Sequence, residues 1–328
     1  MPAHRTRLLT YPNHLEDAST GHFAAFVLAP LVAVPLGTAR SVAAGALANC
    51  LGIHALEAIQ VHELPFRSAG APRATLIAPV EHVGVGLHGG RPCRACIRPA
   101  PVGFGRCING TPATLAHVVD DRLATNLGTA TGPVVMVEHL LAALVLAGID
   151  DADITVEGGE VPILDGSAAP WLAGLQPRFH GGARAIHVIQ APLQVEDGAS
   201  LLTIEPAEAF EIAVEIDFPG LGPQRVAGDL AAARAWAGAR TFGFAADAER
   251  LYAAGRALGA GLENTVVFEA DGRCLNPEGL RWPDEAVRHK ALDLLGDLAL
   301  LGADIQGRVR AVRAGHRLHH ALVRALSL

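Results

Sequence analysis

Hydrophobic and polar positions divide the 328-residue chain into a leading stretch without a period and a longer part that states one pattern twice. Over roughly the first seventy residues, apolar stretches are broken by Pro and Gly and follow neither a helical nor an alternating period. From about Arg73 onward the order is regular. Ala78-Pro79-Val80 leads through a glycine-containing turn to Ile97-Arg98-Pro99-Ala100, and later Ala191-Pro192-Leu193 leads through Asp197-Gly198 to Ile204-Glu205-Pro206-Ala207. Each predicts a hairpin. Val137-Glu138-His139 opens an apolar helix, HLLAALVLAG, that stops at Gly148, and Val287-Arg288-His289 opens HKALDLLGDLALLG, which stops at Gly302. Leucines at helical spacing and a terminal glycine mark both helices. Ile212 to Phe218, IAVEIDF, alternates as a half-buried strand does. Duplication of one strand-then-helix unit is the economical reading, with a boundary near Gly181-Gly182.

Composition narrows the class. Half of the residues are hydrophobic and 18% are charged, which supplies material for buried cores and excludes a wholly disordered chain. A net charge of −7 argues against a general nucleic-acid binder. Five scattered cysteines, in a chain too large to need disulfide staples, predict a reducing cytoplasm. The longest apolar run, Phe23 to Gly37, contains Pro30 and Pro35 and falls short of a bilayer-spanning helix; it also starts too far from Met1 for a signal peptide. Lys290 is the only lysine, every other basic position being arginine, and so raises the question of why arginine would not serve there.

The second helix carries the densest candidate chemistry. His289, Asp293 and Asp297 stand at i, i+4 and i+8 and project from one stripe. An imidazole and a carboxylate one turn apart can bind one metal ion. A polar stripe facing water is the competing explanation, but Leu292, Leu294, Leu295, Leu298 and Leu300 leave little of the circumference for solvent. His139 occupies the corresponding place in the first copy. Two histidines and one aspartate make a three-ligand set that leaves a position open for water, with the adjacent Glu138 placed to act as general base. His316, in Ala314-Gly315-His316-Arg317, suits protonation of a leaving amine if Asp297 orients it and raises its pKa. His319 and His320 are expected to be bystanders, and Cys93 and Cys96 ordinary strand residues.

Six ordered motifs from about Arg73 to Leu328 resemble the zinc-dependent UDP-3-O-acyl-N-acetylglucosamine deacetylases of lipid A biosynthesis. They are VGVGLHGG (83–90), VEHLLAAL (137–144), EVPILDGSAAPW (160–171), ARTFGF (239–244), VRHKALDLLGDL (287–298) and AGHRL (314–318). The resemblance implies an α+β fold of two repeated two-layer α/β sandwich domains, residues 73–181 and 182–328, with the active site between them. Residues 1–72 stay outside it as an N-terminal extension of unassigned role. It further implies zinc on His139, His289 and Asp293, Glu138 as general base, and His316 as general acid with Asp297 as its partner. Thr241 would help hold the oxyanion, Lys290 would bind substrate, and an insert at about 242–275, with Phe242 in its lining, would pass the acyl chain. The expected partner is a small UDP-acyl-sugar, the expected reaction N-deacetylation with release of acetate, and the expected state a cytoplasmic monomer. Peripheral contact with the inner membrane stays open, and Fe(II) fits the same donors. Two other readings stand beside it: a related zinc amidohydrolase for another N-acetylated sugar or lipid, and a non-catalytic binding protein of the same fold.

Overall fold

The computed structural model describes residues 70–327. The apolar run at Phe23 to Gly37 and nearly all of the expected extension lie outside the described residues. After β1 (Pro72–Leu76), the first predicted hairpin forms from β2 (Val80–Val85) and β3 (Pro92–Pro99), with Val80 opposite Ile97. Next come β4 (Arg106–Ile108), β5 (Thr111–Pro112) and a small separate meander, β6 (Val118–Asp120), β7 (Asn126–Thr129) and β8 (Gly132–Val134). Helix α1 (Glu138–Ala147) and β9 (Ala152–Glu157) complete the unit. The main sheet has the order β2-β3-β9-β4-β5, with β9 antiparallel to β3 and parallel to β4.

A short helix α2 (Ala169–Gly174) leads to β10 (Pro177–Ala183), which pairs back on β1, and β11 (Ile186–Val188) follows. Gly181 and Gly182 lie inside β10, both at positive φ, where the β1 pairing slips register at Pro72 and Arg73. The pattern then repeats through β12 (Leu193–Asp197), β13 (Ser200–Glu205), β14 (Glu211–Phe218) and β15 (Gly222–Gly228). Helix α3 (Leu230–Ala235), strand β16 (Phe242–Phe244), helix α4 (Ala248–Ala253) and strand β17 (Val266–Phe268) come before helix α5 (Glu285–Leu298). Strands β18 (Asp304–Gln306) and β19 (Arg308–Val312) and helix α6 (His316–Leu326) end the fold. The second main sheet runs β12-β13-β19-β14-β15, strand for strand the order of the first, and β19 is antiparallel to β13 and parallel to β14. The fold is α+β, and the duplication read from sequence is a duplication of topology.

Local sequence explains the elements. In β14 the alternation buries Ile212, Val214 and Ile216 on one face. Every residue of α1 is buried, because α5 packs along it and one core joins Leu140 and Leu144 to Ile97 and Ile154. Gly148 ends α1 at φ +76°, its N–H reaching back to the Leu144 and Val145 carbonyls. Helix α5 starts at Glu285, before the expected Val287, and its last turn, Ala299–Leu301, tightens to 3₁₀ ahead of Gly302. Within the predicted insert, β16 and β17 pair in parallel with α4 between them. Cys93 and Cys96 are buried, unbridged residues of β3. No helix among the described residues is long and apolar enough to cross a membrane.

Candidate active site

The pairing of α1 with α5 brings together residues that are far apart in sequence. His139 from α1 and His289 from α5 stand edge to face, ring centroids 4.8 Å apart, and both point Nε2 at Asp293 Oδ1, at 3.5 and 3.2 Å. The ligand atoms of these three buried residues all lie within 4.8 Å of one another. His289 Nδ1 lies 3.0 Å from the Ala239 carbonyl, and donation there leaves a lone pair on Nε2. Burial pushes His289 down to about 4, so the ring is neutral. Asp293 Oδ1 is buried and receives no hydrogen bond. A lone pair facing an unpartnered carboxylate oxygen is repulsive unless a cation stands between them, and two imidazoles with a carboxylate are the donor set a divalent metal takes. The residues present fit the group. Lys290 Nζ holds the other oxygen, Oδ2, at 2.7 Å. Burial alone would raise Asp293, but His289 and Lys290 more than offset it and hold the carboxyl well below its usual range.

Glu138 and His316 face each other across this cluster, Oε1 to Nε2 at 4.0 Å. Burial raises Glu138 above the ordinary carboxylate range. For His316 burial acts downward, yet the Asp297 carboxylate, at 2.7 Å from Nδ1, and then Glu138 outweigh it and push the imidazole up to about 9. Both shifts favour the protonated form: they hold His316 as an imidazolium able to donate, and they make the Glu138 carboxylate, when ionised, a stronger base than an ordinary one.

Thr241 is fixed by its main chain: its N–H donates to Gly166 O at 2.7 Å and its carbonyl accepts from Val266 N at 2.8 Å. The preceding Arg240 is buried against Glu285, with Nε 2.8 Å from Oε1. Phe242 lies 6.3 Å from the His289 ring and packs on Phe218 and Phe268 at 5.4 and 6.1 Å. The segment that anchors His289 through Ala239 therefore also carries Thr241 and Phe242 to the same place.

Two histidines expected to be bystanders are not. His319 Nδ1 lies 2.7 Å from Asp297 Oδ2 and His320 Nε2 3.4 Å from Asp297 Oδ1, both buried, because i+3 and i+4 from His316 share its helix face. Asp297, His316 and His319 form a second buried cluster of metal-ligand type, but their atoms are already spent on one another. Sequence reasoning also missed Thr125 and His88. Thr125 N donates to Glu138 Oε2 at 3.0 Å. His88 is buried with neither ring nitrogen hydrogen-bonded, and burial, then Arg256, His139 and His316, press it down to about 4. Its main chain is held by Glu160, whose Oε1 accepts from His88 N at 2.7 Å. The VGVGLHGG and EVPILDGSAAPW motifs were the available signal for that pair.

A buried two-histidine, one-aspartate set with a buried glutamate and histidine beside it is the arrangement metal-dependent hydrolases use. The sequence model of the family UDP-3-O-acyl N-acetylglycosamine deacetylase matches residues 73–327. The chain is 44% identical over 271 residues to the UDP-3-O-acyl-N-acetylglucosamine deacetylase of Phenylobacterium zucineum, covering 77% of this chain and 92% of that one. It is 42% identical over 265 residues to the protein of the same name from Anaeromyxobacter dehalogenans, with 76% and 85% covered. The Myxococcus xanthus protein of that name is 43% identical over 257 residues, with 74% and 82% covered. The chain belongs to the UDP-3-O-acyl N-acetylglycosamine deacetylase family, a family of metal-dependent hydrolases.

Proposed function

We propose that this chain hydrolyses the N-acetyl group of UDP-3-O-(3-hydroxyacyl)-N-acetylglucosamine, releasing acetate, as a step of lipid A biosynthesis. The observation that carries this reading is the convergence of His139 and His289 on one buried, unpartnered oxygen of Asp293. These three residues would hold zinc, with Fe(II) acceptable to the same donors. A divalent ion there supplies Lewis acidity, which makes a water easier to deprotonate and polarises the amide carbonyl. Glu138 accepts a proton from the attacking water as its oxygen bonds to the acetamide carbon. The Thr241 hydroxyl donates to the developing oxyanion, an interaction of roughly 3 kcal/mol by the usual cost of losing one such donor. As the carbon–nitrogen bond breaks, His316 gives a proton from Nε2 to the glucosamine nitrogen and acetate leaves. Asp297 keeps His316 charged until then. Lys290 places its ammonium toward the substrate, and Phe242, within the 242–275 insert, lines the passage for the acyl chain.

In this reading residues 73–181 and 182–328 are the two domains, the protein works as a cytoplasmic monomer, and its substrate is a small molecule. The acyl passage separates the assignment from an amidohydrolase for some other N-acetylated sugar. Acetate release should be measured from the 3-O-acylated UDP-sugar and from UDP-N-acetylglucosamine without the acyl chain. The proposal expects the acylated compound to be turned over far faster; equal rates would contradict the assigned substrate.

A further inference from the structure

Asp297 is fully buried and its two oxygens collect four neighbours. His316 Nδ1 and His319 Nδ1 converge on Oδ2, each at 2.7 Å. On Oδ1, Thr125 Oγ1 donates at 2.5 Å and His320 Nε2 lies at 3.4 Å. Thr125 comes from the first half of the chain, directly before β7, and is itself fully buried. Its main chain holds the Glu138 carboxylate while its side chain holds that of Asp297. The roles assigned above use neither Thr125 nor His319.

We propose that Thr125 and His319 are positioning residues that fix the Asp297 carboxylate and so keep His316 Nε2 turned toward Glu138, where the departing nitrogen must receive its proton. The proposal rests on His316 being the general acid. A buried carboxylate needs hydrogen bonds on every accessible lone pair to stay ionised, and His316 supplies only one. The hydroxyl of Thr125 and the Nδ1–H of His319 supply others without adding positive charge, since burial pushes His319 down and keeps it neutral despite the pull of Asp297. A cation at either place would repel the His316 imidazolium. A missing donor would leave Asp297 freer to turn and would strengthen its pull on the protons it still holds, His316's among them, making His316 a weaker acid. The charged and titratable groups around His316 are Asp297, Glu138, Lys290, His319, His320, His88 and Asp293. Thr125 bonds Asp297, Glu138 and His320, and His319 bonds Asp297.

The test compares full-length Thr125→Val, Thr125→Ser, His319→Leu and His319→Asn with wild type and His316→Ala. Valine keeps the shape and the main-chain N–H of threonine but removes the hydroxyl, and the asparagine side-chain nitrogen falls where histidine Nδ1 sits. The expected result is a fall in kcat of about tenfold or more for Thr125→Val and His319→Leu, a fraction of the full value of general acid catalysis. KM should stay within about a factor of two, the signature of a contact that matters only in the transition state. The basic limb of the kcat–pH profile moves upward, metal content per chain stays as in wild type, and serine and asparagine restore kcat. A neutral valine or leucine variant removes that residue from the proposal, and a loss that serine or asparagine does not rescue makes the role structural and overturns it. If Thr125→Val does not fold, the His319 pair decides. His316→Ala with wild-type kcat would instead bring down the general-acid assignment and the positioning role with it.

Discussion

Gly296 sits directly against the main chain of Glu138: a Cβ placed on Gly296 would lie 2.1 Å from the Glu138 carbonyl oxygen and 2.8 Å from its carbon. Helices α1 and α5 therefore touch backbone to backbone at the turn between Asp293 and Asp297. That approach is what lets a histidine from each helix face the same Asp293 oxygen. In an ordinary exposed helix, Gly→Ala stabilises by up to about 1 kcal/mol. Here the sign reverses. Gly296→Ala should destabilise the fold by about 1–3 kcal/mol, the usual cost of overpacking, and weaken metal retention. Urea denaturation with metal analysis on the same preparation checks both.

Glu138 is tested by removing its charge alone. Glu138→Gln keeps an oxygen to accept from Thr125 N, so the local structure should persist. Loss of a general base lowers kcat by about 10²–10⁴-fold. Metal content should be unchanged, and a loss of metal would show that Glu138 acts structurally instead.

The pH profile follows from these two environments. The proposed reaction needs Glu138 ionised and His316 protonated. Burial raises Glu138, so the acid limb of kcat/KM should lie above the ordinary carboxylate range, and the basic limb should fall near pH 9, where His316 loses its proton. Stability has a defined sign too. His316 is raised from 6.5 to about 9, so its contribution is fully present below 6.5 and is lost as pH rises through about 9. Denaturation of the metal-free protein between those values should show a decline that His316→Asn flattens. A basic limb near 6.5 would contradict the Asp297 pairing.

Glu285 locks the segment that carries Thr241. Its carboxylate accepts from Arg240 Nε at 2.8 Å, from Arg240 N at 3.0 Å and from Arg281 N at 2.6 Å, all at the start of α5. Glu285→Ala leaves a buried guanidinium with only the partly exposed Glu278 as a carboxylate partner. Breaking a buried pair this way costs about 3–5 kcal/mol. Thermal or urea unfolding measures it, and a cost below about 1 kcal/mol, the level of a surface pair, would show the lock to be ornamental.

Much of the site was legible in the sequence because the chemistry sits on two helices with strong periodicity. His289, Asp293 and Asp297 could be placed on one stripe from spacing alone, and His139 could join them only because the repeat supplied an equivalent position. The hairpins were legible from their turns, and the common sheet order confirms the repeat they suggested. Thr125 was not legible, since nothing near it in sequence announces that it will meet Asp297 across 172 positions. His319 and His320 were misread for the opposite reason: their helical spacing from His316 was visible, but their burial depends on α5 packing against α6. The helix-to-helix approach at Gly296 required coordinates as well, because a glycine inside a leucine-rich helix looks like a weakness until its neighbour is known.

The most direct test of the account is to measure metal content and acetate release together, on wild type and Asp293→Ala, with UDP-3-O-(3-hydroxyacyl)-N-acetylglucosamine as substrate. The account predicts about one zinc or iron per wild-type chain, in line with a three-ligand site open at its fourth position. Acetate should form, a chelator should stop it and added zinc restore it, and the Asp293→Ala chain should lack both metal and activity. Acetate release that persists undiminished after the metal is stripped, or a purified chain that binds no metal, would contradict it.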